Sequence, residues 1–194
     1  KQPWDDAVTL ALTYAEVPYE TLWDEEVFNG ELSNYDWLHL HHEDFTGQYG
    51  KFYKNYHTAS WYVEQKKQFE SLASRLGFGS VPEQKKALAQ IIKDYVSSGG
   101  FLFAMCSATD SFDIALATVG VDAAHSVYDG TPVDKKLKSK INYNNSMAFD
   151  NFEIITDPMV YEYSNIDYPP SNNVVVRGAE ADYFSLFEFS AKYD

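Results

Sequence analysis

A short apolar run between a glycine pair and a cysteine constrains the fold of this chain more than any other feature. Residues 101–105 read Phe-Leu-Phe-Ala-Met, follow Gly99-Gly100 and lead directly into Cys106. Strands that face solvent on one side alternate apolar and polar residues, whereas strands of a parallel sheet are apolar throughout because helices cover both faces. The run therefore predicts a strand that is buried on both faces of a parallel sheet.

Helical and strand-like patterns alternate around this run. The spacing of apolar residues predicts helices from the Asp5-Asp6 cap to Val17-Pro18, over 24–32, 61–76 and 110–119, and from the Ser80–Glu83 capping box to Gly99-Gly100. Strands are predicted over residues 19–23, 37–41, 149–155 and 183–190, with a solvated loop or hairpin at 130–146. Such an alternation is typical of an α/β protein with helices on both faces of a mostly parallel sheet.

The transition from the apolar strand into the next helix falls on Cys106, the single cysteine of the chain. Ala104 and Ala108 lie two positions to either side, and a sharp strand-to-helix turn that exposes one side chain tolerates only small neighbours. A helix N-terminus also favours the thiolate form of a cysteine placed there. These features predict a nucleophile elbow at Cys106. The alternative is an inert, buried structural cysteine.

A nucleophilic cysteine usually needs a base, most often a histidine. His42 opens the loop that follows the predicted strand over 37–41, and ligands bind at this carboxyl edge in open α/β sheets. If this strand neighbours the apolar one, His42, Glu43 and Asp44 lie near Cys106. His42 is then the candidate base, and one of the two carboxylates orients it.

His39 and His41 lie on one face of the same predicted strand and are interpreted as core or hydrogen-bonded polar residues. Together with the residues that follow, they are metal ligands by type. However, consecutive residues of a strand point to opposite faces, and the H-E-x-x-H zinc signature is absent. The sequence predicts neither a metal site nor a cofactor.

Composition excludes several classes of protein. The chain has 15 Lys and Arg against 29 Asp and Glu, a formal net charge of -14, so its surface repels phosphate backbones and no nucleic-acid partner is expected. One cysteine rules out an internal disulfide. No stretch of about 18 apolar residues is present, and we expect no membrane span. A length of 194 residues favours a single domain.

Aromatic residues crowd the region after the candidate base. They are Tyr49, Phe52, Tyr53, Tyr56, His57, Trp61 and Tyr62. Stacking rings suit sugar or peptide recognition, which makes Tyr49, Tyr53, Tyr56 and Trp61 candidates for a partner or ligand surface. The alternatives are that the rings pack under a long insertion or form an interface with another subunit.

Two segments resemble the class I glutamine amidotransferase-like group, whose fold is flavodoxin-like. In that group an apolar strand leads into a pattern like Gly-x-Cys-x-Gly-x-Gln, and residues 104–110 read Ala-Met-Cys-Ser-Ala-Thr-Asp here. An earlier strand, preceded by a Tyr-Asp pair, leads into the loop that forms the oxyanion hole. Residues 35–41 and 42–47 match that arrangement. The resemblance implies a three-layer sandwich with a mostly parallel sheet. The pattern of predicted helices and strands adds a helical insertion and a C-terminal β-rich extension.

The strings over residues 3–8, 35–50 and 99–117 also resemble a family of Bacteroidetes-type proteins often labelled "asparagine synthetase B". Those proteins are longer and carry a signal peptide. The resemblance implies export to the periplasm, the outer membrane or beyond, with a protein partner in the cell envelope. It also agrees with the helix-first order of the chain. We expect 1–194 to be a single domain of a longer protein, lacking its first strand and its C-terminal part.

The resemblance implies that Cys106 attacks an amide, in a small amide or peptide substrate, while the N–H groups of Ser107, Thr46 and Gly47 hold the oxyanion. The pattern departs from the group in its two elbow alanines and in lacking a His-x-Glu pair after the cysteine. A non-catalytic scaffold and a carbohydrate-binding or carbohydrate-processing protein are therefore alternatives. An ATP-binding Ser-Gly-Gly-x-Asp-Ser loop is also absent, so we expect no glutamine-dependent asparagine synthesis.

Overall fold

The computed structural model describes residues 7–166, which form a mixed α/β structure dominated by helices. The helices are α1 (Ala7–Tyr14), α2 (Asp24–Phe28), α3 (Tyr53–Tyr56), α4 (Ser60–Arg75), α5 (Val81–Ser97), α6 (Ser107–Ala117), α7 (Ser126–Asp129) and α8 (Leu137–Lys140). The strands are β1 (Trp37–Leu40) and β2 (Phe101–Ala104). Short 3-10 turns cover Glu31–Asn34, Tyr49–Lys51 and Tyr143–Asn145.

The two strands are parallel, as the sequence predicts, and they are neighbours, which the sequence left open. Their register pairs Trp37 with Phe101 and Leu40 with Ala104. At the carboxyl end, the N–H of Met105 donates to the carbonyl of Leu40 at 3.0 Å. Because parallel strands end at the same edge, the loop that follows β1 and the turn that follows β2 leave the sheet side by side. The long crossover between them contains α3, α4 and α5.

One face of this sheet packs on helices. Leu40 of β1 belongs to a core cluster with Leu88 and Ile92 of α5 and Phe112 of α6. Helix α5 begins as its sequence predicts, because the Ser80 side chain accepts from the backbone N–H of the third helical residue at 3.4 Å. The apolar stripe of α5 then faces the sheet.

The other face of the sheet is largely exposed within the described part of the chain, although His39 on it is half-buried. Trp37, Phe101 and Phe103 are exposed there, while Leu102 and Ala104 on the packed face are half-buried. The predicted burial of residues 101–105 on both faces is therefore wrong for residues 7–166. An apolar run indicates that both faces of the strand favour contact with apolar groups. It does not indicate whether those groups belong to the same chain.

Two predicted strands are absent from residues 7–166. Residues 19–23 contain no strand, and Trp23 instead caps α2 by donating its backbone N–H to Glu26. Residues 149–155 contribute only an isolated bridge between Ile154 and Ser164. The cause lies in α6, where the buried Asp113 carboxylate accepts the backbone N–H groups of residues 147–149 at 2.7–2.8 Å and bends the chain away from a strand.

The predicted β-rich extension is consequently not seen over residues 120–166. That stretch consists of loops, α7, α8 and one 3-10 turn, and the predicted loop or hairpin at 130–146 contains helical turns. It packs back on α6 through a core cluster that includes Ile114, Phe152 and Tyr163. The predicted strand at 183–190 lies outside the described residues.

Candidate active site

Cys106 has the backbone of a nucleophile elbow. Its φ of 54° and ψ of −138° lie in a region that L-residues rarely adopt, and it is the N-cap of α6. The thiol is free and exposed. A strained residue that ends a strand, starts a helix and presents its side chain to solvent has the geometry that nucleophile elbows share. The buried-cysteine alternative does not hold for this structure.

The neighbours of Cys106 explain how the chain makes so sharp a turn. Ala108 is completely buried in the core cluster under the sheet, and Ala104 is half-buried at the end of β2. Larger side chains at these positions would collide with the core that the turn folds against. Ser107 is the first helical residue, so its N–H has no acceptor within the helix and is available to a developing negative charge.

The loop after β1 is organised around a single carboxylate, that of Asp44. One oxygen accepts the N–H and the hydroxyl of Thr46 at 2.7 and 2.6 Å. The other accepts the N–H groups of Gln48 and Gly50, both at 2.9 Å. Four donors on two oxygens satisfy this carboxylate and fix the loop. The structure thus uses Asp44 to hold the loop.

Ser111 ties this loop to the helix that carries Cys106. Its hydroxyl donates to the carbonyl of Glu43 at 3.0 Å and accepts the N–H of Phe45 at 3.3 Å. The side chain is fully buried in the middle of α6. Sequence reasoning missed this residue, although a serine within a helix often bonds its hydroxyl to a specific partner.

The structure places His42 at the exposed edge, next to His41. The two imidazole rings stack with centroids 3.8 Å apart, so His41 orients the candidate base. The Glu43 carboxylate accepts the backbone N–H of His41 at 2.5 Å and so caps the end of β1. His39 stacks on Phe103 of the neighbouring strand at 5.3 Å. The sequence predicts that the carboxylate of Glu43 or Asp44 orients His42. In the structure the ring of His41 contacts His42 instead.

Thr46 and Gly47, the predicted oxyanion residues of this loop, are both buried. The N–H of Thr46 donates to Asp44 and is directed into the loop. Gly47 has a φ of +72°, and a Cβ there would lie 2.6 Å from the backbone nitrogen of Pro82. Both residues therefore shape the loop against the start of α5. Among the predicted donors, the N–H of Ser107 has the position best suited to an oxyanion.

A buried polar cluster lies beneath this loop, and sequence reasoning did not find it. The Lys51 ammonium is buried and donates to the carbonyls of Ile155 and Glu162 at 2.8 and 3.0 Å. Burial lowers the pKa of Lys51 to about 8, although Asp44 opposes the shift. Asp110, completely buried in the first turn of α6, accepts the hydroxyl of Ser164 at 2.9 Å.

The aromatic residues separate into two groups. Tyr49 and Tyr62 are buried and pack with Tyr128 in a second core cluster, with Tyr53 partly buried at its side. Burial raises the pKa of Tyr62 to about 12 and raises the pKa values of Tyr49 and Tyr128 as well. These rings pack in the interior and do not form a ligand surface.

Tyr56 and Trp61 remain exposed, with ring centroids 5.2 Å apart. Phe52, also exposed, contacts both of them and reaches Tyr161 at 5.9 Å. For Tyr56 and Trp61 the role of a ligand or partner surface stays a prediction. The four predicted surface residues thus divide between the interior and the solvent.

Within residues 7–166, no set of three or more His, Cys, Asp or Glu side chains is arranged to hold a metal ion. Over the same range, every helix is too short or too polar to cross a bilayer. Neither a protein-family model, nor a curated protein, nor a solved structure matches the chain.

Proposed function

We propose that the chain is a cysteine-dependent amidohydrolase-like domain with Cys106 as its nucleophile. The single observation that carries this proposal is the elbow: an exposed thiol with a φ of 54° and a ψ of −138° at the junction of β2 and α6. Strain of this kind costs about 1–3 kcal/mol and persists where it presents a reacting group. A cysteine that served only packing would gain nothing from it.

In the proposed reaction the Cys106 thiolate attacks the carbonyl carbon of an amide, and a C–S bond forms. The N–H of Ser107 donates to the resulting oxyanion. His42 takes the thiol proton and returns it to the leaving amine as the C–N bond breaks. Water then attacks the thioester, releases the carboxylic acid and restores the thiol. The assignment is supported by the position of His42 in the loop after β1, whose carboxyl end lies beside the end of β2 that leads into Cys106.

The experiment measures both labelling and turnover, with the protein at its full length. Because Cys106 is the only cysteine, iodoacetamide labelling followed by mass spectrometry reports on this thiol alone. Because the thiol is exposed, we expect labelling of the folded protein at pH 7 to be at least as fast as labelling of the urea-unfolded protein. Ammonia release from glutamine and from small peptide amides then reports turnover.

Matched variants assign the roles. We expect Cys106→Ala to abolish turnover and His42→Asn to lower it by about 10²–10⁴-fold, the usual contribution of a general base. His57→Asn is the control, because His57 is also exposed but bonds only the carbonyl of Tyr53, one turn before it. Slow labelling that speeds up only on unfolding, or equal turnover in the Cys106 variant and the wild type, would contradict the proposal.

The finer fold and the location in the cell belong to the same proposal. We infer that residues 7–166 are part of a flavodoxin-like three-layer sandwich of the glutamine amidotransferase-like group, exported to the periplasm or the outer membrane. The parallel β1–β2 pair and the strand-elbow-helix order support this fold. A structure of a longer natural protein with no further parallel strand beside β1 or β2 would overturn it. Recovery in the cytosolic fraction of the source cells would overturn the location.

A second candidate function is a non-catalytic binding domain of an envelope assembly, and the exposed ring group of Phe52, Tyr56, Trp61 and Tyr161 favours it. The same rings suit a carbohydrate. Fast labelling without any turnover, combined with binding of an oligosaccharide or an envelope protein that Trp61→Ala weakens, would favour this function over hydrolysis.

A further inference from the structure

The helix that begins after Cys106 also carries the anchor of the loop that holds His42. Ser111 follows Cys106 by five positions in α6, and an α-helix rises about 1.5 Å per residue, so the two are about 7.5 Å apart along its axis. The backbone of Cys106 is fixed to the first turn, because its carbonyl accepts the N–H and the hydroxyl of Thr109 at 3.1 and 2.7 Å. Helix α6 therefore keeps the spacing between Cys106 and Ser111 constant.

The Ser111 hydroxyl makes two directional bonds to the loop after β1. It donates to the carbonyl of Glu43 at 3.0 Å and accepts the N–H of Phe45 at 3.3 Å. Ser111 is completely buried, so both bonds lie in a low-dielectric interior, where they are stronger than in water. Phe45 also packs on Phe112, with ring centroids 5.2 Å apart. That apolar contact is not directional, so it fixes the register of the loop on α6 less sharply than the hydrogen bonds do.

The backbone around His42 is bonded on both sides. Before it, the N–H of His41 donates to the Glu43 carboxylate at 2.5 Å, and after it, the Glu43 carbonyl accepts the Ser111 hydroxyl. The stack on the His41 ring, at 3.8 Å between centroids, restricts the imidazole itself. The segment that carries the candidate base is therefore tied by one side chain to the helix that follows the candidate nucleophile.

We propose that Ser111 is a positioning residue, which holds the candidate base His42 at a constant distance from Cys106. The inference rests on the proposed function, because it gives Ser111 a role in the reaction of Cys106. A reacting geometry is sensitive to small displacements, and a shift of about 1 Å lowers a rate by about 10²-fold. Loss of the hydroxyl takes this partner from the Glu43 carbonyl and the Phe45 N–H, so the segment beside His42 shifts toward other partners.

The test compares two variants that each remove one buried hydroxyl, one from α6 and one from the residue that ends it. Ser111→Ala removes the bonds to the loop. Thr118→Val is the matched control, because the buried Thr118 hydroxyl donates to the carbonyl of Ile114 in the same helix. Ammonia release from glutamine and from small peptide amides is measured with the full-length protein, below the thermal transition of each variant. We expect kcat to fall about 10²-fold in Ser111→Ala with KM changed less than about 2-fold, and Thr118→Val to keep the wild-type kcat within about 2-fold.

Two further substitutions at the same position separate the hydroxyl from the space it fills. Ser111→Thr keeps a hydroxyl and should recover at least about 10-fold of the lost kcat. Ser111→Cys fills similar space with a weak donor and acceptor, so it should lose kcat as Ser111→Ala does, and it replaces that variant if the alanine protein does not fold. The acid limb of the pH profile of kcat/KM reports the base. We expect this limb to weaken in Ser111→Ala, as in His42→Asn, and to persist in Thr118→Val.

A second measurement needs no substrate. Alkylation of Cys106 by iodoacetamide adds a group at the thiol, and the ring C–H signals of His42, identified by their loss in His42→Asn, report it in the NMR spectrum. We expect alkylation to shift these signals in the wild type and in Thr118→Val. The shift should be smaller in Ser111→Ala, because the loop that carries His42 is no longer held to α6 by hydrogen bonds.

The outcomes separate this inference from the proposed function. Turnover that neither Cys106→Ala nor His42→Asn lowers would contradict the proposed function and this inference with it. If those two variants lower turnover while Ser111→Ala and Thr118→Val keep equal kcat values and pH profiles, the role of Ser111 alone is overturned, and its hydroxyl serves stability only. Equal NMR shifts in Ser111→Ala and Thr118→Val would also overturn that role, whatever the turnover.

Discussion

The two parallel strands end at the same edge of the sheet, and the chain leaves them in opposite ways. After β1 it makes a loop in which the two oxygens of Asp44 accept four hydrogen bonds and the Ser111 hydroxyl bridges to α6. After β2 it turns within one residue, Cys106, whose backbone is strained and whose side chain is exposed.

The loop after β1 has a structural role, whereas the turn after β2 presents the proposed reactive group. Hydrogen bonds to a half-buried carboxylate lower the free energy of the β1 loop, so that loop can position its neighbours without moving. Strain at Cys106 raises the free energy of the β2 turn, and the rest of the fold has to offset it. Substitutions in the first loop should therefore destabilise the protein, whereas relief of strain in the second should stabilise it.

The largest effect is expected from Asp44→Asn. An amide keeps one acceptor oxygen and turns an NH2 group toward backbone donors, so about two of the four hydrogen bonds are lost. We expect unfolding by urea to show a loss of about 3 kcal/mol. Asp150→Asn, at an exposed aspartate, is the control and should change stability by less than about 0.5 kcal/mol. Equal losses in the two variants would contradict the role given to Asp44.

Gly47→Ala tests the shape of the same loop. The new Cβ meets the backbone of Pro82 at 2.6 Å and also forces a φ of +72° on a residue with a side chain. We expect a loss of about 2–3 kcal/mol in chemical denaturation. Gly30→Ala is the matched control, because Gly30 has a φ of +86° and no atom within 4 Å of the added Cβ. It should lose only about 1 kcal/mol, and a loss as large as that of Gly47→Ala would exclude the contact as the cause.

The pH dependence of stability tests the burial of the Lys51 ammonium beneath this loop. Burial lowers the pKa of Lys51 to about 8 in the folded protein, while an unfolded lysine has a pKa near 10.4. Between these values the unfolded chain binds more protons, so this group makes the folded state more stable as pH rises. We expect a gain of about 1 kcal/mol from Lys51 between pH 7.5 and 9.

Lys51→Met should remove that gain, and Lys138→Met, at an exposed lysine, should keep it. Burial also lowers the pKa of Lys86, so part of the rise in stability persists in the Lys51 variant. The comparison is made by denaturant titration at each pH. A rise of the same size in Lys51→Met and in the wild type would show that this ammonium is not the source.

The smallest change in the free energy of unfolding is expected at Cys106, and there a substitution that relieves strain is stabilising. Glycine adopts a φ of 54° without strain, so Cys106→Gly should be about 1 kcal/mol more stable than Cys106→Ala. The proposed turnover is lost in both variants. Thermal unfolding of the pair measures the difference, and an alanine variant that equals or exceeds the glycine variant would argue against a strained elbow.

The sequence predicted local elements better than it predicted layers. Helices α4 and α5 follow from apolar spacing and from the Ser80 cap, which act over a few residues. The strand at 149–155 failed because Asp113, more than 30 positions earlier, captures the backbone of 147–149. A local sequence pattern does not indicate a hydrogen-bond partner that is so distant in the chain.

The candidate site was also predicted only in part, because some of its contacts join distant segments of the chain. The elbow at Cys106 could be read from small neighbours and a strand-to-helix transition, both of which are local. The stack of His42 on His41 and the bridge from Ser111 to Glu43 depend on how the β1 loop meets α6. A lysine buried under that loop gave no signal at all, because lysines are usually exposed.

The sequence by itself determined that a strand begins at Phe101, that a helix follows Cys106, and that the chain is acidic, since these depend on neighbouring residues and on composition. Only the tertiary structure decided that β1 lies beside β2, that Asp44 holds the loop, and that the rings of Trp37, Phe101 and Phe103 are exposed. Those features are contacts between distant segments. Their free energy depends on which surfaces meet when the chain folds, and that information is not contained in any single stretch of the sequence.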